Sequence, residues 1–375
     1  MNEILFAAGP LPSPDPIPLP APVWLFRVLH DLTLTLHFSA LSLFLGGLAL
    51  ATFLNWRGHR VANRGWIEAS HAIAGWLPVL MTYVINLGIP PLLFAQVLYG
   101  RALYTSSVLI GPYWIAVIPL LIGCYHLLYV MKARAEQRQP FVGPAMGSLV
   151  TAWIIARIYT ANMSLMIETD HWAEAYKTNA FGSSFISGHG AWFRWGYMLS
   201  AGLTGAGVLI GWLSQSQRLS QAARDTLITS RIRLVLPGAF LGVVMGILAW
   251  AAQPLDARTT CSAGNTLWLI ASAVWFIGLA GTVLASLFTG SGRAWPPLIA
   301  LSTAWFIQTA GFVECRALVR DAALAIVGFD VTDRAVVVNW SVLLLFLGLF
   351  VAGLGVIAWL ARIAYRSSPQ SETVS

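Results

Sequence analysis

Nine stretches of this 375-residue chain are each long and apolar enough to cross a lipid bilayer, and that limits the fold more than any single residue does. They fall at about 25–55, 67–98, 108–131, 142–164, 192–214, 233–252, 266–289, 296–314 and 338–361. Hydrocarbon offers the backbone no hydrogen-bond partners, so apolar spans of this length fold as helices. The expectation is an all-α integral membrane protein with about nine transmembrane helices. Only 10% of residues are charged, against roughly 25% in soluble domains. Seventeen tryptophans and ten tyrosines suit aromatic belts at the two interfaces. The net charge of +7 is dispersed in short loops between apolar runs, so it does not indicate nucleic-acid binding.

The loops set a direction. Arg57, Arg60 and Arg64 follow the first span, and Lys132, Arg134 and Arg138 follow the third. Arg218, Arg224, Arg231 and Arg233 surround the turn between the fifth and sixth spans; Arg293 precedes the eighth, and Arg362 and Arg366 follow the ninth. Every second loop is therefore basic, which the positive-inside rule reads as cytoplasmic. The alternate loops carry Glu168, Asp170, Glu174 and Asp256, or balanced charges. The N-terminus is expected outside and the C-terminus inside. Residues 1–23 read as an extracytoplasmic proline-rich arm, 24–364 as the membrane domain and 365–375 as a cytoplasmic tail. Gly88, Pro90 and Pro91 should kink the second span or break it into a span and a re-entrant piece.

Ionisable side chains inside spans are costly and are functional candidates by default. In LHDLTLTLHFSALSLFLGG, residues 29–47, His30 and His37 stand seven residues apart, about two helical turns, so they share a face. With His171, His189, Cys261, Glu314, Cys315 and Arg316 they belong to the outer half; His71 and His126 share a depth near the cytoplasmic side. No CxxCH, HExxH, glycine-rich phosphate loop or spaced cysteine set is present. What remains is histidine on transmembrane helices, where a neutral imidazole either ligates haem iron or bonds to a neighbouring helix.

Four stretches resemble the large subunit of cytochrome bd-type oxidases, in the same order along the chain. LTLTLHFSALSLFLGGLAL resembles its first helix, whose histidine ligates an active-site haem. NLGIPPLLFAQVLYG resembles the second-helix Gly-Ile-Pro pattern, and LVTAWIIARIYTANM the Trp-Ile, Ala-Asn and Met helix. ALSTAWFIQTAGFVECR resembles the stretch that leads to a Gly-Arg-Gln-Pro-Trp signature, which is itself missing here. The resemblance implies haem, b-type, with His37 as axial ligand. Where the family has a second haem histidine this chain has Trp195 or Gly196, and Tyr125 and His126 stand where carboxylates are expected. The family's long quinol-binding loop shrinks to about residues 252–266, so quinol oxidation in the family's manner is not expected.

The candidate sites follow. His30 is a propionate or proton-path partner, or an interfacial histidine. Asp31 is expected to pair with Arg27, and Arg157, deep in the fourth span, to face a haem propionate or Glu314. Glu314 is a ligand, a proton carrier or a solvated helix end, and His189, between glycines in SGHGAW, lets a flat ring approach or simply lies in a loop. His71 and His126 are candidate ligands of a second haem. Cys261 and Cys315, at one level outside, are expected to form a disulfide. The resulting function is a haem-binding subunit of a respiratory electron-transfer complex in a bacterial inner membrane. Its expected partners are other membrane subunits, a second bd-like subunit among them, and an extracytoplasmic c-type cytochrome as electron donor. The alternatives are a haem-free companion scaffold, or a transporter whose substrate site lies at the broken second span.

Overall fold

The computed structural model describes residues 11, 17–178, 182, 189–216, 219–288 and 295–366. Its helices are α1 (Val23–Arg60), α2 (Arg64–Leu109), α3 (Gly111–Glu136), α4 (Val142–Leu165), the short α5 (Trp172–Thr178), and α6 (His189–Leu213). They continue as α7 (Gln221–Ala251), the short α8 (Leu255–Ser262), α9 (Thr266–Phe288), α10 (Trp295–Ile326) and α11 (Trp340–Arg366). Among the described residues, nine of these helices are long and apolar enough to cross a membrane, as the hydropathy pattern requires. Among the described residues the only β feature is a parallel bridge between Leu19 and Val336. There Leu19 N–H donates to Ala335 O at 2.8 Å and Val337 N–H to Leu19 O at 2.9 Å, which fastens the chain before α1 to the segment before α11.

Helix α1 is the hub, packing against α2, α4, α6 and α10. At two places it meets α6 backbone to backbone: a Cβ on Gly46 would lie 1.8 Å from Gly202 O, and one on Gly205 would lie 2.6 Å from the carbonyl carbon of Ser42. Small residues at a crossing bring two helices this close, and dispersion between the backbones then replaces a hydrophobic drive that lipid does not supply. Any larger residue at Gly46 or Gly205 would push α1 and α6 apart. The hydroxyls of Thr33, Thr35 and Thr52 donate to carbonyls of their own helix, four residues back, so they cost little inside the span.

The structure corrects the reading of the second span. Helix α2 stays helical through Pro78, Pro90 and Pro91 and leaves helical geometry at Tyr99, with φ −123° and ψ 21°. Forty-six residues in line would reach about 69 Å, far beyond a bilayer, so the run must bend somewhere. It bends where a fully buried tyrosine is held by its hydroxyl, which donates to Asp321 Oδ1 at 2.8 Å and accepts from Arg320 Nη2 at 2.7 Å. Among the described residues the departure from helical geometry in α2 thus falls eight residues past Pro91, at Tyr99, and not at Gly88, Pro90 or Pro91.

Helix α11 stands apart. Among its residues in the described set only Leu343 is buried, and its ring contact to the bundle is Phe346 edge-on to Phe94 at 6.1 Å.

Candidate functional site

The end of the bundle where α1 begins and α10 ends, called the rim here, gathers the polar side chains of several helices. Below it, a cavity of about 250 Å³ runs between α1, α2, α4, α6 and α10. Its walls are mostly apolar, from Leu34, Phe38, Leu92, Ile155, Met198 and Phe312. Charged or titratable groups enter at few places: His30 and His37 from α1, Tyr159 from α4, Arg194 from α6, and Arg316 and Arg320 from α10.

His37 lies 14 residues into α1, about 21 Å along its axis. Its Nδ1 is 3.0 Å from Val84 O on α2. A carbonyl only accepts, so Nδ1 carries the proton and Nε2 keeps the lone pair. The ring borders the cavity, which leaves it partly accessible inside the protein. A carbonyl that fixes the tautomer and orientation of an imidazole is a common way of aiming a metal-binding histidine. Gly88 makes room for it, since a Cβ there would stand 2.9 Å from His37 Cε1.

The guanidiniums share the cavity wall. Arg194 donates to Met163 O and Ser164 Oγ, both at 3.1 Å, and to Gln253 Oε1 at 3.3 Å. Arg320 lies over the Tyr99 ring at 3.8 Å and bonds Asp321 Oδ1 at 3.3 Å. Arg316 makes no hydrogen bond among the described residues and borders the cavity. A cation held in low dielectric without a bonded partner strongly favours an anionic ligand beside it. No carboxylate lines the cavity, so its charge is positive.

The His37 imidazole, apolar walls and arginines fit haem better than a bare metal ion. A bare ion needs three or four protein ligands, and among the described residues no three His, Cys, Asp or Glu side chains converge. A porphyrin supplies four nitrogens itself, needs one axial donor from the protein, and carries two carboxylates for the arginines.

The other sequence candidates distribute unevenly. His30 is buried, borders the cavity, and its Nδ1 is 2.8 Å from Asp31 Oδ1. The expected Arg27–Asp31 pair is replaced: Arg27 forms its ion pair with Asp321 across to α10. Glu314 is half-buried and does not line the cavity. Arg157 stacks on Trp192 at 4.2 Å, has Glu168 as a charged neighbour, and is not among the residues that line the cavity. His189 opens α6, and its side chain lies outside the described residues. His71 faces Phe141 at 5.6 Å, near His59 and Arg138, whereas His126 lies on the face of α3 opposite buried Cys124 and Leu128. The structure does not bring His71 and His126 together, because that turn of α3 gives its inward positions to Cys124 and Leu128. Cys261 and Cys315 share one apolar cluster under α8, both as free thiols. Burial pushes the Cys261 thiol up to about 12.

Sequence reasoning missed Arg194 and Arg320 as cavity residues and took Arg316 only as part of the outer cluster. Part of the signal was available: Arg194 is a guanidinium within the fifth apolar run, whereas Arg316 and Arg320 lie just past the end of the eighth. Where the sequence resemblance would put a second haem histidine, Trp195 Nε1 donates to Trp153 O at 3.0 Å, and a Cβ on Gly196 would lie 2.9 Å from Met245 Sδ. Met245 therefore fills the space an imidazole at 196 would need.

No protein-family model and no curated protein matches this sequence. Among solved structures, the chain is similar to one of bd oxidase from Geobacillus thermodenitrificans, with a TM-score of 0.59 at 12% identity. The superposition covers 94% of this chain and 100% of that one. What the two share is the fold: this chain is an all-α membrane protein with the helical architecture of a bd oxidase chain.

Proposed function

We propose that this chain is a haem-binding membrane subunit of a respiratory electron-transfer complex, built on the bd-oxidase fold and resident in a bacterial inner membrane with the rim outside. The observation that carries it is a cavity bordered both by the lone-pair imidazole of His37 and by three guanidiniums. Bound there, a b-type haem supplies one-electron redox chemistry. The protein does the rest. His37 would hold its iron through Nε2, with Val84 O fixing the tautomer; Arg194, Arg316 and Arg320 would offset its carboxylates, and the apolar wall from Leu34 to Phe312 would keep water away.

The connection between α7 and α9 at the rim contains only the short α8. That favours a protein donor docked at the rim, an extracytoplasmic c-type cytochrome, over a quinol site built from a long loop. Membrane partners, including a second bd-like subunit, would supply the acceptor side.

A visible spectrum of the purified protein tests the reading, with a Soret band and a dithionite-reducible α band expected. His37→Ala should remove one haem by pyridine haemochrome assay while the protein still inserts. A colourless wild-type preparation, or full haem retention in His37→Ala, would overturn it.

A further inference from the structure

Where α1, α6 and α10 meet, a much smaller cavity of about 20 Å³ lies among Ser42 of α1, Tyr197 and Thr204 of α6, and Gln308 and Thr309 of α10. A water needs about 10–15 Å³ and two to four polar partners, so a space of this size takes one water and no larger ligand. Gln308 is 7% exposed, and its Oε1 accepts no hydrogen bond among the described residues. An amide oxygen removed from water and left unpaired is costly, and nearly all such atoms in folded proteins have a partner.

The neighbouring groups complement that oxygen. Tyr197 is buried, and its hydroxyl accepts from Trp275 Nε1 of α9 at 3.2 Å, which leaves its own O–H to donate. Thr309 Oγ1 donates to Trp305 O at 3.0 Å and Thr204 Oγ1 to Ala201 O at 2.9 Å, so both oxygens keep lone pairs. The space is thus bordered by a phenol with a proton to give and by oxygens able to accept. Phe38, Leu41, Met198 and Phe312 border both this space and the cavity of His37. Phe312 is stacked on Tyr197, with ring centroids 3.8 Å apart and planes 13° from parallel. One layer of apolar side chains therefore separates the two cavities, and none of the polar groups of the smaller one lines the larger.

We propose that Tyr197 and Gln308 hold one ordered water in this space, as a polar link between α6 and α10 inside the bundle. The water accepts from the Tyr197 hydroxyl and donates to Gln308 Oε1, and its second hydrogen goes to Thr309 or Thr204. The donors then run in one direction across three helices: Trp275 of α9 to Tyr197 of α6, Tyr197 to the water, and the water to Gln308 of α10. Each buried polar atom on that path gains the partner it needs.

X-ray radiolytic footprinting of the detergent-solubilised protein tests the site, because a bound water delivers hydroxyl radicals to side chains that bulk radicals do not reach. Trp305 is the reporter, since it is 6% exposed and borders this space but not the cavity of His37. Fully buried Phe141, which borders neither, is the control. Corrected for intrinsic reactivity, Trp305 should be labelled several-fold faster than Phe141. Gln308→Met keeps the side-chain length without the acceptor, and should bring Trp305 down to the level of Phe141. Equal protection of the two in the wild type overturns the site, as does undiminished labelling of Trp305 in a Gln308→Met protein that melts like the wild type. A cryo-EM map of the wild type needs no variant: a peak within hydrogen-bonding distance of both Gln308 Oε1 and the Tyr197 hydroxyl is expected. Its absence from a map that shows other buried waters overturns the proposal.

Discussion

Gly88 and His37 touch: the imidazole Cε1 lies 2.9 Å from where a Cβ on Gly88 would stand, and the preceding turn of α2 presents Val84 O to Nδ1. One short piece of α2 thus provides both the room and the orientation for the ring. Its glycine is required by close approach, not by backbone conformation.

Gly88→Ala should therefore move the His37 ring before it unfolds anything. Overpacking of this kind costs about 1–3 kcal/mol. Haem content by pyridine haemochrome should fall, and the reduced α band of the remaining haem should shift or broaden. An unchanged spectrum at full occupancy would show that the ring does not depend on this contact.

Arg316→Leu should act in opposite directions on the empty and the loaded protein. Removing a cation held inside the bundle without a bonded partner stabilises the apoprotein, by about 1–4 kcal/mol on the precedent of buried ion replacements. The same change withdraws the charge that meets a haem carboxylate, so haem retention during washing should drop. Thermal melts of both forms check this; a lower melting point for the apoprotein would contradict the view of Arg316 as an anion-seeking group.

Tyr99→Phe should loosen the bend in α2. The hydroxyl donates to Asp321 and accepts from Arg320, so its loss leaves two charged groups each one partner short. A hydrogen bond to a charged group is worth about 1.5–3 kcal/mol. Hydrogen exchange of the amides after residue 99 should speed up, with α1 unaffected. Unchanged exchange there would mean that sequence around the bend, not the hydroxyl, sets it.

Cys261 and Cys315 pack in one cluster at the rim, and in an oxidising compartment we expect them to bond. The bridge would close about 54 residues, worth on the order of 4 kcal/mol by the chain-entropy estimate. The labelling must be done on unfolded, unreduced protein, because a thiol pushed up to about 12 is almost wholly protonated at pH 8 and resists alkylation in the native state. Joined peptides in mass spectrometry are the expected result; both cysteines alkylated would count against the bond.

Much of this is legible in the amino-acid order because lipid is a strict solvent. Nine apolar runs correspond to nine helices, and His37 stands out because an imidazole among leucines needs a reason. The rim is harder to read. Helical spacing pairs Arg27 with Asp31, four residues on, since that is the only distance a sequence supplies; the actual partner, Asp321, is 294 positions away. Pro90 and Pro91 suggest the kink because proline lacks an N–H, yet neighbouring helices tolerate both, and α2 bends at a tyrosine instead. Arg194 and Arg320 have no partner in the local sequence, and only the fold of α6 and α10 turns both to one cavity. Pairings between helices decide these residues, and no local pattern encodes them.

Helix α11 is joined to the bundle at its beginning, through the Leu19–Val336 bridge, and then runs with almost none of its surface covered. Its free energy of unfolding is therefore nearly its own, set by the lipid around it and not by the eight helices beside it. The bundle can close, and its cavity can form, while the ninth helix is still being synthesised. A proteolytic cut in residues 327–339 would then release a fragment that leaves the spectrum of the remainder intact. In folding terms this chain is an eight-helix machine with a passenger, and the passenger's position is decided by whatever else occupies the membrane.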